Sequence, residues 1–446
     1  MELKRKIYSS LLKWKASGGS TALLIAGARR VGKSYIAELF AKQEYRSYIL
    51  IDFSKTSPEL KDIFTNEQAD LNLFFTKLSL LYSTKLYQRK SLIVFDEVQL
   101  FPPARQFIKH LVADGRYDFL ETGSLISIKS NVEDILIPSE EEEIEMFPLD
   151  FEEFCWANGD ASTVPMLRDM FEQKTPAGQA VHRKIMNTYR TYMLVGGMPQ
   201  AVLQYIATKD FEAVDKTKRL ILKLYKNDIA KFGEKLTSKV SSVYEEIPSQ
   251  LSTKKKKYKL SVIAKSARLR EYEDAFYWLS DAKIINTCFN ACDPNVGLKM
   301  SSDQSTLKCY MGDTGLLVSQ SLEDSDFVQN EIYRSILLNK LSINQGMFVE
   351  NIIAQTLASN GHKLFFYSCS DNDNPKNTME IDFLLTSGKK VCPIEVKSGA
   401  YKAHRSLDKF KDKFGFRVGT RYVVHTKDLR VENDVIYIPL YMAAFL

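Results

Sequence analysis

The sequence predicts an α/β protein of several domains, with a parallel sheet near its start and a second α/β domain near its end. Three observations support this fold class: an apolar strand that runs into a glycine-rich loop and a helix, a second apolar strand that ends in two acids, and late strands that carry acids and a lysine. The chain has 446 residues. That length exceeds one ordinary hydrophobic core, so two to four domains are expected.

Composition indicates a globular protein without a membrane helix and leaves nucleic-acid binding open. Hydrophobic residues make up 45% and charged residues 26% of the chain, which is ordinary for soluble globular proteins. The net charge of +6 permits nucleic-acid binding without arguing for it, because clustering of charge matters more than the total. No apolar run approaches the roughly 20 residues of a membrane helix. We therefore expect a cytoplasmic protein with reduced thiols and no membrane partner.

A phosphate-binding loop follows the first apolar strand, residues 21–26. The pattern G-x-x-x-x-G-K-S lies between this strand and a helix pattern, which is the context that such a loop requires. Its glycines let backbone N–H groups surround phosphates, and the helix start adds positive potential. Lys33 is expected to reach the β- and γ-phosphates of ATP and Ser34 to bind Mg²⁺. The residues expected to bind the nucleotide are Gly27, Ala28, Arg29, Arg30, Val31, Gly32, Lys33, Ser34 and Tyr35.

Two acids end the second apolar strand, residues 91–95. In P-loop enzymes an Asp at a strand end holds Mg²⁺, which is the role expected of Asp96. Glu97 can orient and deprotonate the attacking water, so we assign it as the catalytic base, beside Lys33 as a second catalytic residue. A solvated pair of loop carboxylates is the alternative interpretation.

Two further strands, 48–52 and 119–121, fit the same sheet. The first lies between the two motifs in sequence, so the strand that ends in the two acids need not be the direct neighbour of the strand before the loop. Thr122 and Ser124 follow the other strand. A hydroxyl at that place could sense the γ-phosphate or could simply form a turn.

Four residues in the last hundred form a second candidate site. Glu350 lies on a predicted helix, Asp382 on a predicted strand, and Glu395 and Lys397 on the next strand. Alternate residues of a strand share a face, and a neighbouring strand supplies the third group. Oxygen ligands suit Mg²⁺, so Glu350, Asp382 and Glu395 are the expected metal ligands.

Metal-dependent cleavage of a phosphodiester is the chemistry that this second arrangement predicts. The metal would activate a water, and Lys397 would position that water or neutralise developing charge. Asp382, Glu395 and Lys397 are therefore the expected catalytic residues. A surface strand pair with ion pairs, or a nuclease fold without activity, is the alternative.

The middle of the chain is expected to be mainly helical. Residues 160–175 are polar with few apolar anchors, which indicates a surface loop, and Gly196–Pro199 indicates a helix stop and a turn. Short helix patterns then precede two predicted strands, 284–287 and 307–311. Helices with a β-ribbon suggest a winged helix-turn-helix, a module that binds nucleic acid. The run Lys254–Lys257 could neutralise phosphates or form a solvated loop.

Several of these motifs together resemble one family of bacterial and archaeal AAA-type ATPases, whose members carry a C-terminal domain of unknown cellular role. The motifs are Gly27–Ser34, Asp96–Gln99, Thr122–Ser124, Phe147–Phe154, Gly196–Pro199 and Met311–Leu316. Family members usually carry a Gly-Arg pair shortly before the Pro-Leu-x-Phe segment. Residues 137–143 contain no arginine, so no arginine that would complete the site from a neighbouring subunit is assigned.

The order Glu350, Asp382, Glu395, Lys397 resembles the restriction-endonuclease-like fold. Together the resemblances imply an α/β protein with an AAA-type P-loop NTPase domain, a helical and winged-helix middle, and a restriction-endonuclease-like C-terminal domain. The expected boundaries are 1–155 for the ATPase domain, 156–235 for the helical region, 236–322 for the winged-helix-like region and 323–446 for the nuclease-like domain.

The function predicted from sequence is an ATPase, with ATP and Mg²⁺ as cofactors, that acts as motor or switch for a nucleic-acid-binding, nuclease-like domain. Nucleic acid, and DNA in particular, is the expected partner, and self-association into a homo-oligomer is left open. One alternative is a nucleotide-dependent regulatory switch or scaffold of the signal-transduction type, with a catalytically inactive nuclease fold. A kinase on the same core is another alternative, although no acceptor-site signature stands out.

The lysine run gives the first testable prediction. Replacing Lys254–Lys257 with Gln is expected to weaken binding to nucleic acid and to flatten its salt dependence by about one unit of log–log slope per lost phosphate contact, because fewer counterions are released. Equilibrium binding to DNA and RNA at several salt concentrations measures this. An unchanged slope would identify the run as a solvated loop.

Overall fold

The computed structural model describes residues 2–123, 139–231, 234–253, 257–263, 269–323, 328–337, 345–369, 378–399 and 404–446. Ser124 and Lys254–Lys256, singled out in the sequence, lie outside these residues. The chain divides into two compact units, 2–147 and 148–446. Within the described ranges, no helix is both long and apolar enough to cross a membrane.

The first unit is built on a five-stranded parallel sheet. Its order is β2-β3-β4-β1-β5, and the pairs run parallel throughout. The strands are β1 Ala22–Gly27, β2 Ser47–Asp52, β3 Ser91–Asp96, β4 Asp118–Gly123 and β5 Glu141–Met146. As the sequence allowed, β3 is not the direct neighbour of β1, because β4 lies between them.

Helices cover both faces of this sheet. The helices are α1 Ile7–Ala16, α2 Lys33–Glu44, α3 Pro58–Asn66, α4 Leu71–Leu81 and α5 Pro102–Asp114. Successive strand residues face opposite sides, so Leu24 belongs to one hydrophobic cluster with α3, α4 and α5, whereas Ile25 belongs to the other with α1 and α2. Burial on both faces explains why β1 and β3 are continuously apolar.

The edge strand β5 was not predicted from the sequence. Its sequence is Glu-Glu-Glu-Ile-Glu-Met, and only Met146 is buried as a whole residue. A strand at a sheet edge pairs on one side only and tolerates charge. Strand β5 pairs with β1 although most of its residues are acidic. A search for alternating or continuous apolar residues therefore does not detect it.

A buried charge cluster joins β4, β5 and α5. Arg105 makes a two-pronged ion pair with Glu141, with Nε–Oε2 3.0 Å and Nη2–Oε1 2.7 Å. Glu121, fully buried on β4, is close to both. Burial raises the pKa of Glu121 well above its ordinary value, the neighbouring Glu141 raises it further, and Arg105 opposes the change.

The second unit begins with helices. They are α6 Phe151–Ala157, α7 Thr163–Gln173, α8 Gln179–Val195, α9 Pro199–Thr208, α10 Phe211–Ile229, α11 Glu234–Glu245, α12 Ile247–Ser252 and α13 Leu269–Asp281. The loop predicted at 160–175 is wrong, because α7 occupies most of it. Val164 and Leu167 provide a narrow buried stripe, and the Asp160 carboxylate accepts hydrogen bonds from the first N–H groups, including that of Thr163 at 3.0 Å.

A mixed eight-stranded sheet completes the second unit, in the order β12-β13-β11-β10-β9-β8-β6-β7. Its strands are β6 Ile285–Ala291, β7 Ser302–Met311, β8 Leu364–Cys369, β9 Met379–Ser387, β10 Lys390–Val396, β11 Arg421–His425, β12 Arg430–Glu432 and β13 Val435–Pro439. The remaining helices are α14 Thr314–Gln320, α15 Asn330–Leu337, α16 Gln345–Ser359 and α17 Arg405–Phe414.

This sheet crosses the boundary expected at residues 322/323. The strands expected to form the ribbon of a winged helix are β6 and β7, and they do pair with each other. However, β6 also pairs in parallel with β8. The ribbon is therefore continuous with the sheet that carries Asp382 and Glu395.

Buried hydrogen bonds connect three of the sequence motifs to one another: Phe147–Phe154, Gly196–Pro199 and Met311–Leu316. Leu149 N–H donates to the Gly197 carbonyl at 2.7 Å, and Gly197 N–H donates to the Asp313 carboxylate at 2.6 Å. A Cβ on Gly315 would lie 2.5 Å from the backbone of Gly196. Only glycine permits this approach, so the motifs serve packing within the second unit.

Glu121 leads to a prediction about stability and pH. Its folded-state pKa is raised, so above its ordinary value of about 4.5 the unfolded chain releases a proton that the folded chain keeps. Stability then falls as pH rises, by up to about 1.4 kcal/mol per pH unit. Glu121→Gln is expected to remove this slope and to raise the melting temperature at neutral pH.

Calorimetric unfolding of the full chain across a pH series measures the effect. The matched control is Glu142→Gln, since Glu142 is an exposed carboxylate on β5 of the same unit. Parallel stability–pH curves for wild type and Glu121→Gln would contradict a buried, protonated Glu121.

Candidate nucleotide site and C-terminal charge cluster

The glycine-rich loop connects β1 to α2 at the carboxyl edge of the parallel sheet. Gly32 has φ 102° and directly precedes the helix, a backbone conformation that favours glycine. At the other end of the loop, a Cβ on Gly27 would lie 2.3 Å from the Met146 carbonyl oxygen. Both motif glycines are therefore required by local geometry.

Lys33 points back into the loop. Its Nζ donates to the carbonyl oxygens of Gly27 and Ala28, at 3.0 and 3.1 Å, and the residue is buried. Burial lowers the pKa of Lys33, while the carboxylates of Glu97 and Asp96 oppose this change. The ammonium is thus held by neutral oxygens, beside the acids at the end of β3.

Thr122 organises the acidic pair. Its hydroxyl donates to the buried Asp96 carboxylate, at Oδ1, and accepts from Glu97 N–H at 3.3 Å. Glu97 has φ 54°, a strained conformation for a non-glycine residue. Gln99 donates to Glu97 Oε2. The hydroxyl of β4 and the amide of Gln99 therefore fix the orientation of both carboxylates.

Ser34 and Asp96 are the oxygen donors suited to Mg²⁺ at this site. Ser34 is half-buried in the first turn of α2, and Asp96 ends β3. A hydroxyl and a carboxylate at one sheet edge match the preference of Mg²⁺ for oxygen. The residue types present therefore fit this ion. Of the remaining loop residues, Arg29 is half-buried, whereas Arg30 and Tyr35 are exposed.

Arg5 is a functional candidate that sequence reasoning missed. Its guanidinium donates to the Val31 carbonyl in the glycine-rich loop at 3.0 Å, and to the Phe147 carbonyl at 2.6 Å. The residue is buried despite its place in the basic start of the chain. No periodic pattern identifies such a contact, because it depends on where the segment before α1 crosses the loop.

At the C-terminal site, a lysine that was not singled out in the sequence lies among the acids. Lys308 on β7 is fully buried. Its Nζ lies 2.8 Å from Glu380 Oε1, 3.4 Å from Glu350 Oε1 and 3.6 Å from Asp382 Oδ1. Tyr310, two residues further along β7, donates to Glu350 Oε1. Two expected metal ligands therefore surround an ammonium group.

Glu395 and Lys397 form a pair of their own. Lys397 Nζ contacts Glu395 Oε1, while Glu395 Oε2 is buried and has no hydrogen-bond partner within the described ranges. Burial raises the pKa of Glu395, and Lys397 opposes this. A backbone hydrogen bond connects this pair to the acids around Lys308, since Val396 N–H, between Glu395 and Lys397, donates to Asp382 Oδ2 at 2.8 Å.

This arrangement differs from the one expected from sequence. There, Asp382, Glu395 and Lys397 were expected to converge on a single divalent-metal position, with Glu350 close by. Among the described residues, no three His, Cys, Asp or Glu side chains are placed to hold a metal ion together. The charge of Lys308 lies between Glu350 and Asp382, so a metal ion shared by these two carboxylates does not fit the cluster. Glu395 pairs with Lys397 instead, and its role as a metal ligand stays a prediction from sequence.

Comparisons with known proteins find similarity to three domain families, each over part of the chain. Residues 19–155 match the family described as AAA domain. Residues 186–326 match a domain of unknown function, DUF8612, and residues 345–442 match another, DUF4143. No curated protein gives a significant match.

Solved structures with some similarity include the Orc1 protein of Aeropyrum pernix in complex with DNA and AMPPCP-bound DnaA from Aquifex aeolicus. The first is 11% identical, with 73% of this chain and 93% of that chain covered and a TM-score of 0.26. The second is 15% identical, with coverages of 63% and 86% and a TM-score of 0.30. TM-scores this low support no conclusion about this chain.

The family match covers the strand, loop and acids described above. It agrees with the parallel sheet and with the position of the glycine-rich loop after β1. Residues 19–155 are therefore similar to the AAA domain family, and their parallel sheet and glycine-rich loop have the arrangement of a P-loop NTPase fold.

Proposed function

We propose that the protein binds ATP and Mg²⁺ at the loop Gly27–Ser34 and hydrolyses ATP with Glu97 as general base. The observation that carries this proposal is the Thr122 hydroxyl, which links Asp96 to the backbone of Glu97. This contact holds the Asp96 carboxylate and the Glu97 backbone in place, and Gln99 donates to the Glu97 carboxylate. A solvated pair of loop carboxylates would not need such a link.

Each residue has a separate task in the proposed reaction. Lys33 exchanges its bonds to loop carbonyls for bonds to the β- and γ-phosphates, and neutralises charge there. Glu97 accepts a proton from the attacking water, and Gln99 holds its carboxylate in place. Ser34 and Asp96 are the residues that would hold Mg²⁺, which supplies charge stabilisation on the phosphates.

The role of the second unit is a separate proposal. We propose that ATP turnover acts as a motor or switch for a nucleic-acid-binding function of residues 148–446, with DNA as the first candidate. The run Lys254–Lys257 supports this. Cleavage by Asp382, Glu395 and Lys397 stays a prediction from sequence, and the position of Lys308 argues against metal dependence at Glu350 and Asp382.

ATPase variants test the first proposal. Lys33→Ala is expected to abolish ATP binding, because the ammonium of Lys33 is the charge expected on the β- and γ-phosphates. Glu97→Gln is expected to retain ATP binding and to slow hydrolysis by roughly 10²–10⁴-fold, because glutamine has the shape of glutamate but cannot act as a base. Calorimetric ATP binding and phosphate release measure the two effects. Normal turnover in Glu97→Gln would refute its assignment.

A matched pair at Thr122 tests the positioning contact itself. Thr122→Val keeps the shape but removes the hydroxyl, so kcat is expected to fall while KM for ATP changes little. Thr122→Ser keeps the hydroxyl and is expected to retain most of the activity. If both variants lose kcat equally, packing rather than the hydrogen bond to Asp96 determines the rate.

A further inference from the structure

Lys308 is a buried cation surrounded by acids from two elements. Glu350 comes from α16, Glu380 and Asp382 come from β9, and Lys308 itself lies on β7. The ring of Phe366 on β8 lies 5.1 Å from Nζ and adds a cation–π contact. All of these elements belong to the second unit, so the cluster is a built feature of one domain.

Ion pairs to three carboxylates hold the Lys308 ammonium in place, the shortest of them 2.8 Å long, to Glu380 Oε1. Breaking such a buried pair by removing one partner is costly, because the remaining charges lose their compensation. The ammonium is therefore an integral part of the cluster.

A divalent cation and the Lys308 ammonium compete for the same oxygens. Mg²⁺ or Ca²⁺ requires ligand distances of roughly 2.0–2.6 Å, and the carboxylate oxygens nearest Lys308 are already within 3.6 Å of its Nζ. A metal ion among these oxygens would lie within a few ångström of the ammonium, where repulsion between like charges is severe.

We propose that the Lys308 ammonium is the resident cation of the C-terminal acidic site, and that Glu350, Glu380 and Asp382 accept a divalent metal only when that ammonium is removed. In the natural chain the ammonium compensates part of the negative charge of the three carboxylates. It holds β7, β9 and α16 together without metal, and no metal-dependent chemistry occurs at these three carboxylates.

Counting bound Mn²⁺ tests this inference. The full chain is titrated with MnCl₂ in the absence of nucleotide, and free Mn²⁺ is followed by electron paramagnetic resonance. Lys308→Met replaces the ammonium with an uncharged, flexible side chain. This variant is expected to bind a further Mn²⁺ relative to wild type. The double variant Lys308→Met with Asp382→Asn is expected to lose that gain.

Two results would overturn the proposal. One is a wild-type Mn²⁺ site that Asp382→Asn abolishes, since it would mean that metal binds beside the ammonium. The other is a folded Lys308→Met variant, checked by circular dichroism, that gains no Mn²⁺. If Lys308→Met does not fold, the comparison of wild type with Asp382→Asn decides: equal Mn²⁺ binding supports the proposal and reduced binding refutes it. The ATP site is identical in all variants, so these outcomes are independent of ATP hydrolysis.

Discussion

The position of β4 between β1 and β3 is the constraint on which the nucleotide site depends. All three strands run parallel, so the loop after β1, Thr122 and Asp96 meet at one edge of the sheet. Side chains alternate along a strand, and a slip of one residue would exchange the faces of Thr122 and Glu121. The register that places the Thr122 hydroxyl beside Asp96 and Glu97 thus also places the Glu121 carboxyl in the apolar layer, where Arg105 and Glu141 accompany it.

Two buried lysines illustrate how surroundings determine what a charge can do. Lys33 is held by neutral carbonyl oxygens, and its pKa is lowered. Such contacts can be exchanged for a phosphate that carries full negative charge. Lys308 is held by carboxylates, and its pKa is raised. Those contacts pair the carboxylate oxygens with a cation of the chain itself. We therefore propose that the same side chain binds a ligand in one unit and compensates buried acids in the other.

The sequence was most informative where a motif and its secondary structure coincide. The strand, loop and helix around Lys33 could be predicted because burial on both faces produces continuous apolar strands. The cluster around Lys308 was predicted only in part. Glu350 and Asp382 belong to recognisable sequence patterns, whereas Lys308 does not. Its partners are at least 42 residues away in sequence, and periodicity carries no information about contacts at that separation. Burial of Arg5 escaped prediction for the same reason, whereas the edge strand β5 escaped it because of its acidic sequence.

The central claim is that Lys33, Ser34 and Asp96 form one Mg²⁺–ATP site. The most direct test is an experimental structure of the full chain with Mg²⁺ and a non-hydrolysable ATP analogue. The account predicts that Lys33 Nζ leaves the carbonyls of Gly27 and Ala28 and contacts the terminal phosphates, with Mg²⁺ beside Ser34 and Asp96. A nucleotide bound elsewhere, or a Lys33 still bonded to those carbonyls with the analogue in place, would contradict it.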